Sequence, residues 1–352
     1  MSEHPYRSLP PTAFWSRSVS TGFSATDVAA SDQPLLRPGD RVMSAGSCFA
    51  SNLIPWIEAA GLEYVRTENP HPAFAHLPEN LGYRNFSAAY GNLYTARQLR
   101  QLLERCLGLF APIEDRWHAG ESVIDPFRPG LRYPASSDAE FDVLTAQHLA
   151  ATLLAFDTAT VLVFTLGLTE AWISRADGAV FPAAPGTVAG VFDPAAHEFR
   201  NFAVAEIAAD LREFVRLLRQ RNPEVRVILT VSPVPLVATA GGAHVLVAST
   251  YSKSVLRVAA GEVAAELPGV TYFPAYEIVT GPQAPADYFA ADRRNVSEAG
   301  VAAVMTALLA ASGMSAGDAG ATSGVSPEVA STAAVLSQAI TDADCEEVMA
   351  DR

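Results

Sequence analysis

The feature that most narrows the fold is a pair of runs, Thr160-Val-Leu-Val-Phe-Thr165 and Val225-Arg-Val-Ile-Leu-Thr-Val231. Both are short, nearly continuous in apolar residues and rich in β-branched ones, the pattern of a parallel strand buried on both faces. Residues 42–44 and 270–273 read as shorter strands of the same kind, and 62–66 as another. Helices are expected between them, over 49–60 and 140–156. Thr95-Ala-Arg-Gln98 is a capping box ahead of an apolar face of Leu99, Leu102, Leu103, Cys106 and Leu107. A helix over 204–221 repeats Ile207, Leu211, Phe214, Val215 and Leu218 until Asn222-Pro223 stops it. Further helices cover 250–266 and, capped by Ser297, the stretch to 309. Alternating strands and helices imply a parallel sheet covered on both faces. In such sheets the site lies beyond the carboxyl ends of the strands. Four loops meet that criterion: Gly46-Ser47, 167–170, 232–244 and 292–295.

The chain's 352 residues suffice for one large α/β domain with additions. An irregular arm rich in Pro and Ser occupies 1–38, and the α/β domain 39–311. Loop excursions interrupt it at 111–138 and 175–200, the second with hairpin character at Asp177-Gly178. From 312 to 352 the chain is acidic and Ala/Ser/Gly-rich, and reads as a mostly disordered tail. A formal charge of −14, from 24 basic and 38 acidic residues, argues against nucleic acid and anionic membrane surfaces as partners. Three cysteines, Cys48, Cys106 and Cys345, are too few and too far apart for a disulfide framework or a metal site. No run reaches membrane-spanning length and no secretory leader opens the sequence, so a cytoplasmic protein is expected. No phosphate-binding glycine loop of P-loop or Rossmann type is present, and no cofactor is expected.

Chemistry is most legible in Arg41-Val-Met-Ser-Ala-Gly-Ser-Cys-Phe-Ala50. A strand running through small residues into a helix places Ser47 at the strand's carboxyl end, beside free N–H groups at a helix N-terminus. Those groups favour developing negative charge, so Ser47 stands where an acyl-transfer nucleophile works. The same residues also make an ordinary turn and cap.

Gly46-Ser47-Cys48-Phe49-Ala50 resembles the motif that names the GSCFA family, a branch of the SGNH/GDSL hydrolase-like superfamily. Gly91-Asn-Leu-Tyr-Thr95, Phe164-Thr-Leu-Gly-Leu-Thr-Glu-Ala-Trp172, Val231-Ser-Pro-Val234, Ser252-Lys-Ser-Val-Leu-Arg257 and Tyr272-Phe-Pro-Ala-Tyr-Glu277 are similar to further blocks, in order, over residues 5–310. The resemblance implies a flavodoxin-like, three-layer α/β/α sandwich with a parallel sheet. It implies that Ser47 is the nucleophile, and that its own N–H, with Gly91 or Asn92 and Gly167, stabilises the oxyanion. The family pattern favours Ser47 over the adjacent Cys48, which is assigned to the interior. Asp292 aligns with the carboxylate of a final Asp-x-x-His. Two departures stand out. Leu168, Thr169 and Glu170 replace the usual third-block Asn, and Asn295 replaces the histidine. An amide cannot take a serine proton, so another base serves or the chemistry has been lost.

Of the seven histidines, His244 is the first replacement base, because its Gly-rich loop shares the rim with Ser47. His71, in a Pro-flanked loop, is second and is otherwise placed at the substrate with Asn295. His4, His76, His118, His148 and His197 read as surface residues. Asp292 or Glu170 would orient His244, or Glu170 would itself be the base if burial raised its pKa. Lys253 and Arg257, on a helix leaving the same rim, would bind an anionic group, against the plainer reading of solvated or paired residues. The expected function is serine-dependent acyl transfer, by an O-acyl esterase or an O-acyltransferase acting on a carbohydrate or small acyl ester. Acyl-CoA or another acyl donor would serve the transferase. The alternative is a catalytically impaired SGNH-like module that binds a glycan or a partner protein.

Overall fold

The computed structural model describes residues 4–69, 83, 85–131 and 134–314. The expectations for His71, His76, the side chain of Cys48 and the tail beyond 314 fall outside what is described. In the arm, α1 (Trp15–Ser18) and α2 (Ala25–Val28) are single turns. Then come β1 (Arg41–Gly46), α3 (Cys48–Ser51), α4 (Leu53–Ala59) and β2 (Glu63–Tyr64). The one helix expected over 49–60 is interrupted at Asn52. Pro55 has no N–H for the Ser51 carbonyl, and its ring crowds that carbonyl. Helix α5 (Ala96–Cys106) opens on the expected capping box: the Gln98 N–H donates to Thr95 Oγ1 (3.2 Å) and the Thr95 N–H to Gln98 Oε1 (2.9 Å).

The first excursion holds a hairpin of β3 (Trp117–Ala119) and β4 (Ser122–Ile124), followed by α6 (Asp138–Thr158) and β5 (Val161–Leu166). Next come β6 (Glu170–Ser174), β7 (Val180–Phe181) and β8 (His197–Asn201), an antiparallel sheet in the order β7-β6-β8. Helix α7 (Val204–Arg221) leads to β9 (Arg226–Val231), then α8 (Val245–Glu266), β10 (Val270–Tyr272), α9 (Ala275–Thr280) and α10 (Glu298–Ala311). Ser297 caps α10, its Oγ accepting from the Gly300 N–H at 3.2 Å. No helix among the described residues is long and apolar enough to cross a membrane.

The main sheet is parallel throughout, in the order β10-β9-β5-β1-β2. Numbered by their succession in the chain, its strands run 2-1-3-4-5, the doubly wound order of flavodoxin. Alternate residues of each strand enter different cores. Met43, Leu162, Phe164, Val227 and Leu229 pack with α5 to α8 on one face. Val42, Val161, Val163 and Ile228 pack with α4, α9 and α10 on the other. The result is a three-layer α/β/α sandwich. The arm is tied to it through Leu36, whose N–H donates to Ser312 Oγ (3.1 Å), and through the Leu35 carbonyl, which accepts from Arg226 Nη1 (2.6 Å). Winding changes direction between β1 and β5, and there the carboxyl ends of neighbouring strands open a crevice.

Candidate active site

Ser47 follows directly on the carboxyl end of β1, at this switch point. Gly46 brings it there. Its φ is +143°, and a Cβ on it would stand 2.6 Å from the Thr165 carbonyl oxygen and 2.8 Å from Thr165 Cβ. Only glycine lets β1 press against β5 in this conformation. Ser47 is the N-cap residue of α3, but its hydroxyl makes no capping hydrogen bond. Ser47 is 5% exposed, and its Oγ has no hydrogen-bond partner among the described residues. Leaving a buried hydroxyl unsatisfied costs about 1–3 kcal/mol. Ser87 Oγ, Thr152 Oγ1 and Thr230 Oγ1 are buried in the same condition, so what distinguishes Ser47 is its position at the switch point.

Residues 91–94 lie across the crevice as a strap. The Leu93 N–H donates to the Gly46 carbonyl (2.8 Å). The Tyr94 carbonyl accepts from the N–H groups of Gly167 (3.0 Å) and Leu168 (2.9 Å), just past β5. Helix α8 pins the same turn: buried Lys253 donates from Nζ to the Gly167 carbonyl (2.6 Å), and Ser252 Oγ accepts from the Thr169 N–H (3.1 Å). The structure thus joins Gly46, Ser47, the strap, Gly167 and Lys253. It also corrects two expectations. The Gly167 N–H is taken by the strap, so it does not point at an oxyanion. Lys253 is a buried tie rather than an anion-binding group on the rim. Of the two strap candidates, Asn92 is buried beside Leu93, while Gly91 (φ +66°) has open space where a Cβ would stand.

The other candidates have partners of their own, and none is hydrogen-bonded to Ser47 Oγ. His244 is exposed and caps α8, its Nδ1 accepting from the Leu246 N–H at 3.2 Å. That lone pair caps the helix, so α8 begins at Val245 rather than near 250, and no hydrogen bond joins His244 to Ser47 Oγ. Glu170 heads β6 and accepts from Thr239 Oγ1 (2.8 Å). Burial raises its pKa, opposed by hydrogen bonds from Thr239 and the Ala240 backbone. It ties down the loop after β9 instead of orienting His244. Asp292 Oδ1 accepts from the N–H groups of Arg294 (2.9 Å) and Asn295 (3.0 Å) around Arg293 at φ 55°. Its Oδ2 accepts from Asn295 Nδ2 (2.8 Å), so the Asp-x-x-Asn pair is formed, with an amide in place of imidazole. Arg257 donates to Glu277 (2.6 Å) and lies over the Tyr272 ring (3.9 Å), a paired residue rather than an anion site.

A buried polar cluster escapes sequence reasoning. His148 and His197, expected at the surface, are 1% and 3% exposed. His197 pairs with Glu114 (2.9 Å), joining the two excursions. His148 Nδ1 lies 2.7 Å from Glu68 Oε2, and that oxygen also accepts from the Ala89 N–H (2.7 Å). Arg128 links Glu68 (3.7 Å) to Asp125 (2.7 Å). Burial alone would raise the Glu68 pKa, but His148, Arg128 and the Ala89 N–H hold it below its ordinary value. Burial and Arg128 push His148 down as well, against the pull of Glu68. The pair is therefore a carboxylate accepting from a neutral imidazole. Burial of Asp125 is likewise overcome by Arg128 and Arg105, which lower its pKa.

Groups depressed on folding lend stability above their unfolded pKa and lose it as pH falls. Stability is therefore expected to decline below about pH 6.5 through His148, and further below about pH 4.5 through Glu68 and Asp125. Denaturant titrations across this range check it. In His148→Gln the upper limb disappears, while the lower one shrinks by the share His148 gives Glu68 and keeps that of Asp125.

The profile of the GSCFA family matches residues 41–308. No curated protein matches the sequence. Among solved structures, the chain is similar to a Streptococcus pneumonia protein provisionally described as a platelet activating factor. Identity is 15% and the TM-score 0.27, over 43% of this chain and 58% of that one. It is also similar to a carbohydrate esterase family 2 enzyme with a carbohydrate-binding domain, from Corynascus thermopiles (Myceliophthora fergusii). There identity is 14% and the TM-score 0.29, over 81% of this chain and 68% of that one. At these TM-scores neither likeness bears on activity.

Proposed function

The chain belongs to the GSCFA family, and from that premise we propose that it is a serine-dependent acyl-transfer enzyme acting on O-acyl esters of carbohydrates or small alcohols. The observation that carries this reading is the buried Ser47 hydroxyl, unpaired among the described residues and set at the sheet's switch point. Ser47 Oγ attacks the acyl carbon and gives up its proton to a base. The Ser47 N–H and Asn92 hold the oxyanion. Collapse breaks the ester C–O bond, and the departing alkoxide takes the proton. Water or a sugar hydroxyl then receives the acyl group, making the protein an esterase or a transferase. For transfer, acyl-CoA or another activated ester is the donor. The base is a group other than the amide of Asn295.

Turnover of p-nitrophenyl acetate and of an acetylated oligosaccharide tests the reading. Saturable release of acetate, or its transfer to added sugar, is expected. A rate that holds to about pH 4.5 identifies an ordinary carboxylate base, and one that falls at higher pH an imidazole or a carboxylate raised by burial, as Glu170 is. No turnover of either ester would favour a glycan- or protein-binding module, the reading that the Asp292–Asn295 pair supports.

A further inference from the structure

A cavity lies behind the strap, walled by α5, α6, β7 and the first excursion, and Ser47 is not among its lining residues. Arg105 lines it at 9% exposure. The guanidinium rests by its face on Phe127, with Cζ 4.2 Å from the ring centroid. It makes no hydrogen bond or ion pair with any described residue. Gln98, also in the wall, accepts from the N–H groups of Tyr94 and Thr95 through Oε1, while its Nε2 donates to no described residue. The neighbouring acceptors are already engaged. Gln101 Oε1 takes the Val180 N–H (2.9 Å), Glu68 takes Ala89 and His148, and Asp125 takes the Phe127 N–H and Arg128. Apart from the His148 ring, the wall offers unused donors and, among the described residues, no free side-chain acceptor. It suits a ligand rich in acceptors.

Charge narrows the choice. Arg128 is committed to Asp125 and Glu68, leaving Arg105 as the cation of the wall with no hydrogen bond or close ion pair to a described residue, although Asp125 acts on it at longer range. A guanidinium held by its face keeps its in-plane N–H edge free, the geometry that meets a carboxylate with two parallel bonds. A phosphate dianion would bring a second negative charge toward Asp125 and Glu68. We propose that this cavity binds a small monocarboxylate, with Arg105 as the ion-pairing group. Leu93 connects it to the nucleophile's turn, because its side chain lines the cavity and its N–H holds the Gly46 carbonyl. Binding here does not depend on Ser47 being catalytic.

Calorimetric titration of the full-length protein with sodium acetate and sodium propionate, at constant ionic strength, tests it. Saturable one-to-one binding is expected, at least tenfold weaker in Arg105→Met and unchanged in Ser47→Ala. Inorganic phosphate should bind more weakly than either acid. If Arg105→Met does not fold, Arg105→Lys takes its place. It keeps the charge but loses the planar fork, and should also weaken binding. Absence of saturable binding, full affinity in the Arg105 variant, loss of binding in Ser47→Ala, or tighter phosphate binding would each overturn the assignment.

Discussion

Replacing Gly46 with alanine lowers the unfolding free energy by about 3–5 kcal/mol, or leaves no folded protein, because two penalties coincide. The first is conformational: at φ +143° an L-residue is strained. The second is steric. Gly46 is the register partner of Thr165, and the added methyl would lie 2.6 Å from that residue's carbonyl oxygen. Strand β5 cannot retreat, because β9 holds it on the other side. Gly39→Ala separates the two effects. Gly39 also has positive φ (+84°), but nothing lies within 4 Å of the place its methyl would take. It should lose only the conformational part, about 1–2 kcal/mol. Urea denaturation of both variants measures the difference. Similar losses would mean that the close approach of β1 to β5 is unimportant.

Ser47→Ala should lower kcat/KM by at least about 10³-fold, the loss typical when a catalytic nucleophile is removed. Its effect on stability carries further information. If Ser47 were chiefly a helix cap, alanine would destabilise the protein by about 1 kcal/mol. The hydroxyl makes no capping bond and is buried without a described partner. The variant should therefore be as stable as wild type, or up to about 1–3 kcal/mol more so. Lower activity with equal or greater stability is the mark of a group retained for chemistry. Lower stability with unchanged activity would make Ser47 a structural residue.

How much of the fold and site is legible in the sequence follows from the range of the interactions involved. The runs at 160–165 and 225–231 announce β5 and β9 because a strand buried on both faces has no polar side to vary. Thr95 and Gln98 announce the start of α5 because both halves of a capping box lie within one turn. The break at Asn52 is also local, written in Pro55. The buried histidines are not local. Glu68 and His148 are 80 residues apart, and neither segment alone indicates that the other will neutralise its burial. Lys253 reads as a rim cation in sequence because its partner is a backbone carbonyl, Gly167 O, and a carbonyl has no residue-type signature. The family resemblance implies an oxyanion donor at Gly167, and the Tyr94 carbonyl that takes its N–H is likewise invisible in sequence. His244 stands well ahead of the helix start expected near 250, so its capping of α8 through the Leu246 N–H has no signal in the sequence.

Whether Ser47 is an activated nucleophile is tested most directly by intact-protein mass spectrometry after exposure to a serine-directed fluorophosphonate. One adduct is expected on folded wild-type protein, located at Ser47 by peptide mapping, and none on Ser47→Ala. No adduct on the folded wild type, or one that persists in Ser47→Ala, would contradict that role.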